Sequence, residues 1–108
     1  MNDDDFFYPH EVDIEPHRAG GGMGPGFDTI ERRAAEVLDE QRVVLDTDGA
    51  ERVSNTQVTV ALEHAVPPQS RVTVWPGTPR ARRAAVIAVA LNDNRDSVLD
   101  SFAVLSLE

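Results

Sequence analysis

The chain has 108 residues and a formal net charge of −9, which favours one small domain with a modest core. It contains no cysteine, so disulfides, thiolate metal sites and thiol nucleophiles are excluded. Residues 1–51 carry fourteen carboxylates against four arginines, a net −10, while residues 52–108 carry five against six, a net +1; a general DNA binder needs the opposite balance.

Residues 1–7 read as a flexible acidic N-terminus, and residues 8–108 as one domain. The opening "MNDDDFFYPH" is acidic where a signal peptide is basic. No run approaches the ~20 apolar residues of a membrane span. A soluble protein made in the cytosol is expected. "YPHEVDIEPHR" puts His10, Val12 and Ile14 on one face and Glu11, Asp13 and Glu15 on the other. That period of two predicts a strand, with Pro9 and Pro16 at its ends. "AGGGMGPGF", Ala19 to Phe27, holds five of the seven glycines and predicts a turned loop. A phosphate cradle there would need a Lys-Ser/Thr pair close behind, and the chain has no lysine.

The segment from Thr29 to Gly49 is ambiguous. Ile30, Ala34, Val37 and Leu38 fit a helix face, yet "AEVLDEQRVVLD" also suits a strand; Glu40 to Asp46 reads as extended, preceded by a short helix or a bulged strand, and Asp48-Gly49 is a strong hairpin signal. "ERVSNTQVTVALE" predicts a strand with Val53, Thr56 or Gln57, Val58, Val60 and Leu62 alternating. "HAVPPQS" breaks it, because two prolines cannot continue a ladder. "RVTVW" predicts a short strand, "PGTPRA" a turn, and "RRAAVIAVALND" a long strand buried on both faces in its middle. "NDNRDS" is a polar loop. "VLDSFAVLSLE" closes the chain as a strand with Val98, Phe102, Val104 and Leu107 toward the core. About six strands ten to fifteen residues apart, with little helix, predict an all-β fold: a small single-domain β-barrel or sandwich with an extended N-terminal arm and long loops.

Reactive constellations are scarce. His10, His17 and His64 would need carboxylates to complete a metal site. The pairs Asp46/Asp48 and Asp93/Asp96 sit in predicted turns, where Asp bonds nearby backbone. Ser54, Ser70, Ser97 and Ser101 lack a nucleophile-elbow context. No enzyme activity, cofactor or metal is expected. Trp75 stands beside a turn without further aromatics, which favours packing over base stacking. Arg80, Arg82 and Arg83 cluster at one predicted hairpin tip.

The order of these elements carries a resemblance. "YPHEVDIEPHRAGGGMG", "DTDGAERVSNTQVTVAL", the apolar-Pro-x-x-Ser turn of "VPPQSRVTV", "RRAAVIAVALND" and "LDSFAVLSLE" together resemble the head-to-tail stopper, or head-closure, proteins of long-tailed actinobacteriophages. The exclusive use of Arg over Lys is compatible with such a host. The turn "PGTPRAR" and the charged, Ala-rich Ile30 to Leu45 depart from that pattern.

The resemblance implies a structural virion protein of the neck, made in the host cytoplasm. It would form a homo-oligomeric ring, expected to be dodecameric, between the connector or adaptor under the portal and the tail terminator. It would help retain packaged double-stranded DNA, lie near it without specific binding, and dock the tail. On that basis Asp46, Asp48, Gly49, Glu51, Arg52 and Asn55 are the candidate lumen-facing or gating loop. Phe6, Phe7, Tyr8, Met23, Phe27, Trp75, Arg80, Arg82 and Arg83 are the candidate docking residues, with Tyr8 to Phe27 reaching onto a neighbour. The alternatives are a tail terminator or other tail-ring protein, and a small nucleic-acid-binding barrel that uses Trp75 and the arginine tip.

Overall fold

A computed structural model describes residues 9–18, 26–92 and 101–108. Six antiparallel strands close into a barrel: β1 (His10–Glu15), β4 (Glu31–Leu38), β7 (Thr56–Ala61), β10 (Phe102–Leu107), β9 (Arg82–Asn92) and β8 (Arg71–Val74), in that order. Closure rests on β1, which pairs with β4 on one side and with β8 on the other. Two ribbons stand outside the barrel: β2 (His17–Arg18) with β3 (Gly26–Phe27), and β5 (Arg42–Leu45) with β6 (Glu51–Ser54). A single 3-10 turn, Leu62–His64, follows β7. No α-helix occurs among the described residues.

The interior follows from the period of two. Val12 and Ile14 of β1, Val58 and Val60 of β7, Val72 and Val74 of β8, and Ala84 and Val86 of β9 all point inward and are buried. Ala35 and Val37 of β4 and Ala103, Leu105 and Leu107 of β10 complete one contiguous core. A six-stranded barrel is narrow, so β-branched and small side chains fill it without leaving a lumen. The structure therefore has the predicted all-β barrel, with the expected strand at Val12 and Ile14 and the doubly buried middle of β9 at Val86 and Ile87.

Three local expectations are corrected. The helical option for Ile30 to Leu38 gives way to strand β4, because Ala35 and Val37 must alternate inward to close the barrel. In β10 the core face is Ala103, Leu105 and Leu107, whereas Phe102 and Val104 are half-buried on the other face. Of the predicted set only Leu107 lies inward; Val98 is outside the described residues. Both faces of β10 are apolar, so the pattern alone cannot fix parity; its pairing with β7 and β9 does. Val53 is not in the barrel wall. The chain breaks at Asn55, Ser54 turns inward, and Val53 remains on the β5–β6 ribbon with half its surface exposed.

Candidate interaction surfaces

One barrel mouth gathers the end of β4, the start of β7, the end of β8 and the start of β9. Asp39, just past β4, organises it. Its Oδ1 accepts from the Thr56 hydroxyl at 2.9 Å, and its Oδ2 accepts from Trp75 Nε1 and from Arg80, each at 3.2 Å. Arg82 donates to Thr56 Oγ1 at 2.6 Å and to the Glu108 carbonyl at 3.0 Å. Trp75 lies edge-on to His10 at 4.9 Å, with the Arg80 guanidinium 4.8 Å from its ring centroid. His10 Nδ1 in turn accepts from the Val37 N–H at 3.0 Å. Trp75 thus packs on the barrel end. Its φ of 53° is a left-handed conformation that a bulky residue rarely adopts, and the contacts of its ring hold it there.

The third arginine of the tip points elsewhere. Arg83 and Arg71 both reach Glu15 on the outer wall, at 3.4 and 2.7 Å. Phe27 of β3 lies beneath the Arg71 guanidinium, 3.7 Å from ring to charge, and edge-on to His17. The sequence places Arg80, Arg82 and Arg83 side by side, but β9 alternation sends Arg83 to one face and Arg82 to the other. Among the described residues, each of the nine arginines has a partner. Eight meet a carboxylate, and Arg82 meets a hydroxyl and a carbonyl. Sequence reasoning missed Glu15, Asp39 and Thr56. Their partners are far away in the chain, and only the barrel register brings them close.

The proposed lumen loop is the tip of the β5–β6 ribbon. Asp46 Oδ1 accepts the backbone N–H groups of Asp48 and Ala50, at 2.9 and 3.0 Å, the turn chemistry expected of Asp here. Gly49 takes a φ of 81°, a conformation that glycine adopts without strain. Arg52 pairs with the Glu108 carboxylate at 3.4 Å, and Asn55 accepts from Gln41 at 3.2 Å. The pairs Val43↔Val53 and Leu45↔Glu51 place Val43, Leu45, Val53 and Glu51 on one face. The three apolar members are 66%, 62% and 53% exposed. The ribbon is rooted by buried polar groups: the Ser54 hydroxyl donates to the Leu107 carbonyl at 2.8 Å, and Gln57 Nε2 donates to Ser54 Oγ and to the Glu40 carbonyl. Gln57 Oε1 is buried without a hydrogen-bond partner.

Two shallow clefts are formed by described residues. One lies at the opposite mouth, lined by Ile14, Pro16, Glu31, Arg33, His64 and Val66 among others; there Arg33 is tied to Glu31 at 2.6 Å. The other lies between the ribbon tip and β9, beside Gln69 and Ile87. No cluster of three or more His, Asp or Glu that could hold a metal occurs among the described residues. No helix among them is long and apolar enough to cross a membrane. Of the candidate docking residues, Phe6, Phe7, Tyr8 and Met23 lie outside the described residues, as does the acidic N-terminus of residues 1–7.

The electrostatics of the outer wall are local. On β1 the Asp13 carboxyl is held below the usual carboxylate range. The main cause is a two-armed hydrogen bond from Arg32, at 2.8 and 3.1 Å; desolvation opposes it, and the Arg32 charge adds to it. No protein-family model, no curated protein and no solved structure matches the chain.

Proposed function

We propose that this chain is an assembly protein without turnover, a ring-forming head-to-tail stopper of a phage neck. It would sit between the connector under the portal and the tail terminator. The observation that carries this reading is the β5–β6 ribbon: a closed barrel has no edges to hide, yet this one holds out a two-stranded element with Val43, Leu45 and Val53 exposed. An apolar face of that kind marks a protein contact.

The charge pattern supports the same reading. Wherever the described residues carry an arginine it is already bonded, and the chain as a whole carries −9. Tight DNA binding draws on an extended cationic surface that displaces counterions; here the excess positive charge is confined to the β8–β9 hairpin and the chain as a whole is acidic, so a duplex could pass this surface without being held. That observation also disfavours a nucleic-acid-binding barrel.

The test is to mix the purified protein with its portal-bound connector and image the product by negative stain, with light scattering for mass. Rings stacked on the connector are expected. Failure to bind the connector and to form rings under any condition overturns the reading.

A further inference from the structure

We propose that the β5–β6 ribbon of one copy docks on the β8–β9 hairpin of the next copy. This inference rests on the assembly reading above and names the surfaces that would make it. The two surfaces differ in charge. On the ribbon, Asp46, Asp48 and Glu51 form no ion pair among the described residues, while Arg42 and Arg52 are engaged by Glu40 and Glu108. The tip is therefore left acidic. At the hairpin, Arg71, Arg80 and Arg83 meet two carboxylates among the described residues, Glu15 and Asp39, and Arg82 is bonded to a hydroxyl and a carbonyl, so positive charge is left over there. The side chains of Arg80 and Arg83 are 69% and 55% exposed, against 33% for Arg71.

The apolar parts fit as well. Val43, Leu45 and Val53 present an exposed apolar face, and the turn after Trp75 presents the exposed Pro79 and Ala81. Glu51 shares the face of the ribbon valines, so it enters the contact with them and can meet Arg80 or Arg83. Pairing two ribbons about a twofold axis would instead bring Glu51 and the acidic tips of two copies together, which like-charge repulsion disfavours. A contact between two different surfaces of the same chain is head-to-tail, and head-to-tail contacts close into rings or run on as filaments.

The test is sedimentation velocity on the full chain at rising concentration, with thermal melts to verify folding. Three variants are needed: a ribbon variant (Asp48→Arg with Glu51→Arg), a hairpin variant (Arg80→Glu with Arg83→Glu), and an apolar variant (Val43→Thr with Val53→Thr). The wild type is expected to form larger species with concentration. Each charge-reversed variant alone is expected to sediment as a monomer. An equimolar mixture of the two is expected to regain association, because each then offers the other a complementary face. The apolar variant is expected to associate at least ~10-fold more weakly, the effect of removing about 1.4 kcal/mol. Should the hairpin variant fail to fold, the ribbon and apolar variants decide alone. Variants that associate as strongly as the wild type overturn this docking and leave the ring itself standing. A wild type that stays monomeric at millimolar concentration also overturns it, and the neck reading then stands or falls on connector binding.

Discussion

Asp39 is exposed, yet it accepts from three donors that belong to β7, to the turn after β8 and to the β8–β9 hairpin. Its removal takes the acceptor from the hydroxyl proton of Thr56, a residue 2% exposed, and frees the Trp75 ring that holds a left-handed backbone. Asp39→Ala is expected to lower stability by about 1–2 kcal/mol, read as a drop in Tm, and to raise the mobility of Trp75, read as altered indole fluorescence. Asn at the same position keeps the acceptor for one donor and should recover part of the loss. On the outer wall, Arg32 holds the Asp13 carboxyl low. A depressed folded value adds stability above the unfolded carboxylate value of about 3.9, and that stability is lost as pH falls through the lowered value. In Arg32→Ala the Asp13 resonance should titrate at a higher pH, and the acid-unfolding midpoint should move up with it. Both effects are small because the Arg32 side chain is more than half exposed to solvent, which screens the pair.

At the scale of elements, what could be read from the chain depended on how one-sided each strand is. β1 has one apolar and one charged face, so Val12 and Ile14 were legible as core. β10 is apolar on both faces, so its parity was not. Thr29 to Leu38 mixes arginine, glutamate and alanine at spacings that fit either period, and only the barrel's need for a strand between β1 and β7 resolves it. The "VPPQS" turn shows the opposite case, a motif whose chemistry is local. Ser70 is fully buried; its hydroxyl donates to the Pro67 carbonyl at 2.7 Å and accepts the His17 N–H at 2.8 Å. Gln69 takes a φ of 76°, and Gln69 and Ser70 bond to both sides of Val86, continuing the ladder beyond β8. Ser70→Ala removes the acceptor for His17 and is expected to cost about 1–3 kcal/mol. Chemical denaturation should report it as a lower midpoint with unchanged slope. The candidate surfaces were legible only in part. The Asp48-Gly49 hairpin and the arginine tip stand out in the sequence, but the exposure of Val43, Leu45 and Val53 does not, since the same residues would serve a buried strand equally well.

For the molecule as a whole, the uneven charge of the two halves resolves into surfaces. The acidic half supplies β1, β4 and the ribbon as far as Glu51, and the near-neutral half supplies the arginine-bearing hairpin. Bonded arginines and a net charge of −9 predict no measurable affinity for double-stranded DNA at physiological ionic strength. At low salt any residual affinity should be unchanged by Arg82→Ala with Arg83→Ala. Fluorescence anisotropy with a labelled duplex checks both statements. Tight, steeply salt-dependent binding that the double variant abolishes would restore the nucleic-acid reading.

The place of β10 in the barrel bears on how the molecule is made. It fits between β7 and β9, although β9 precedes it and β7 lies some forty residues earlier in the chain. Until that strand is synthesised and inserted, both neighbours present open, sticky edges to the crowded cell. Such non-local pairing is slow, so the nascent polypeptide has an interval in which aggregation competes with closure, and chaperone capture during that interval would help decide the yield.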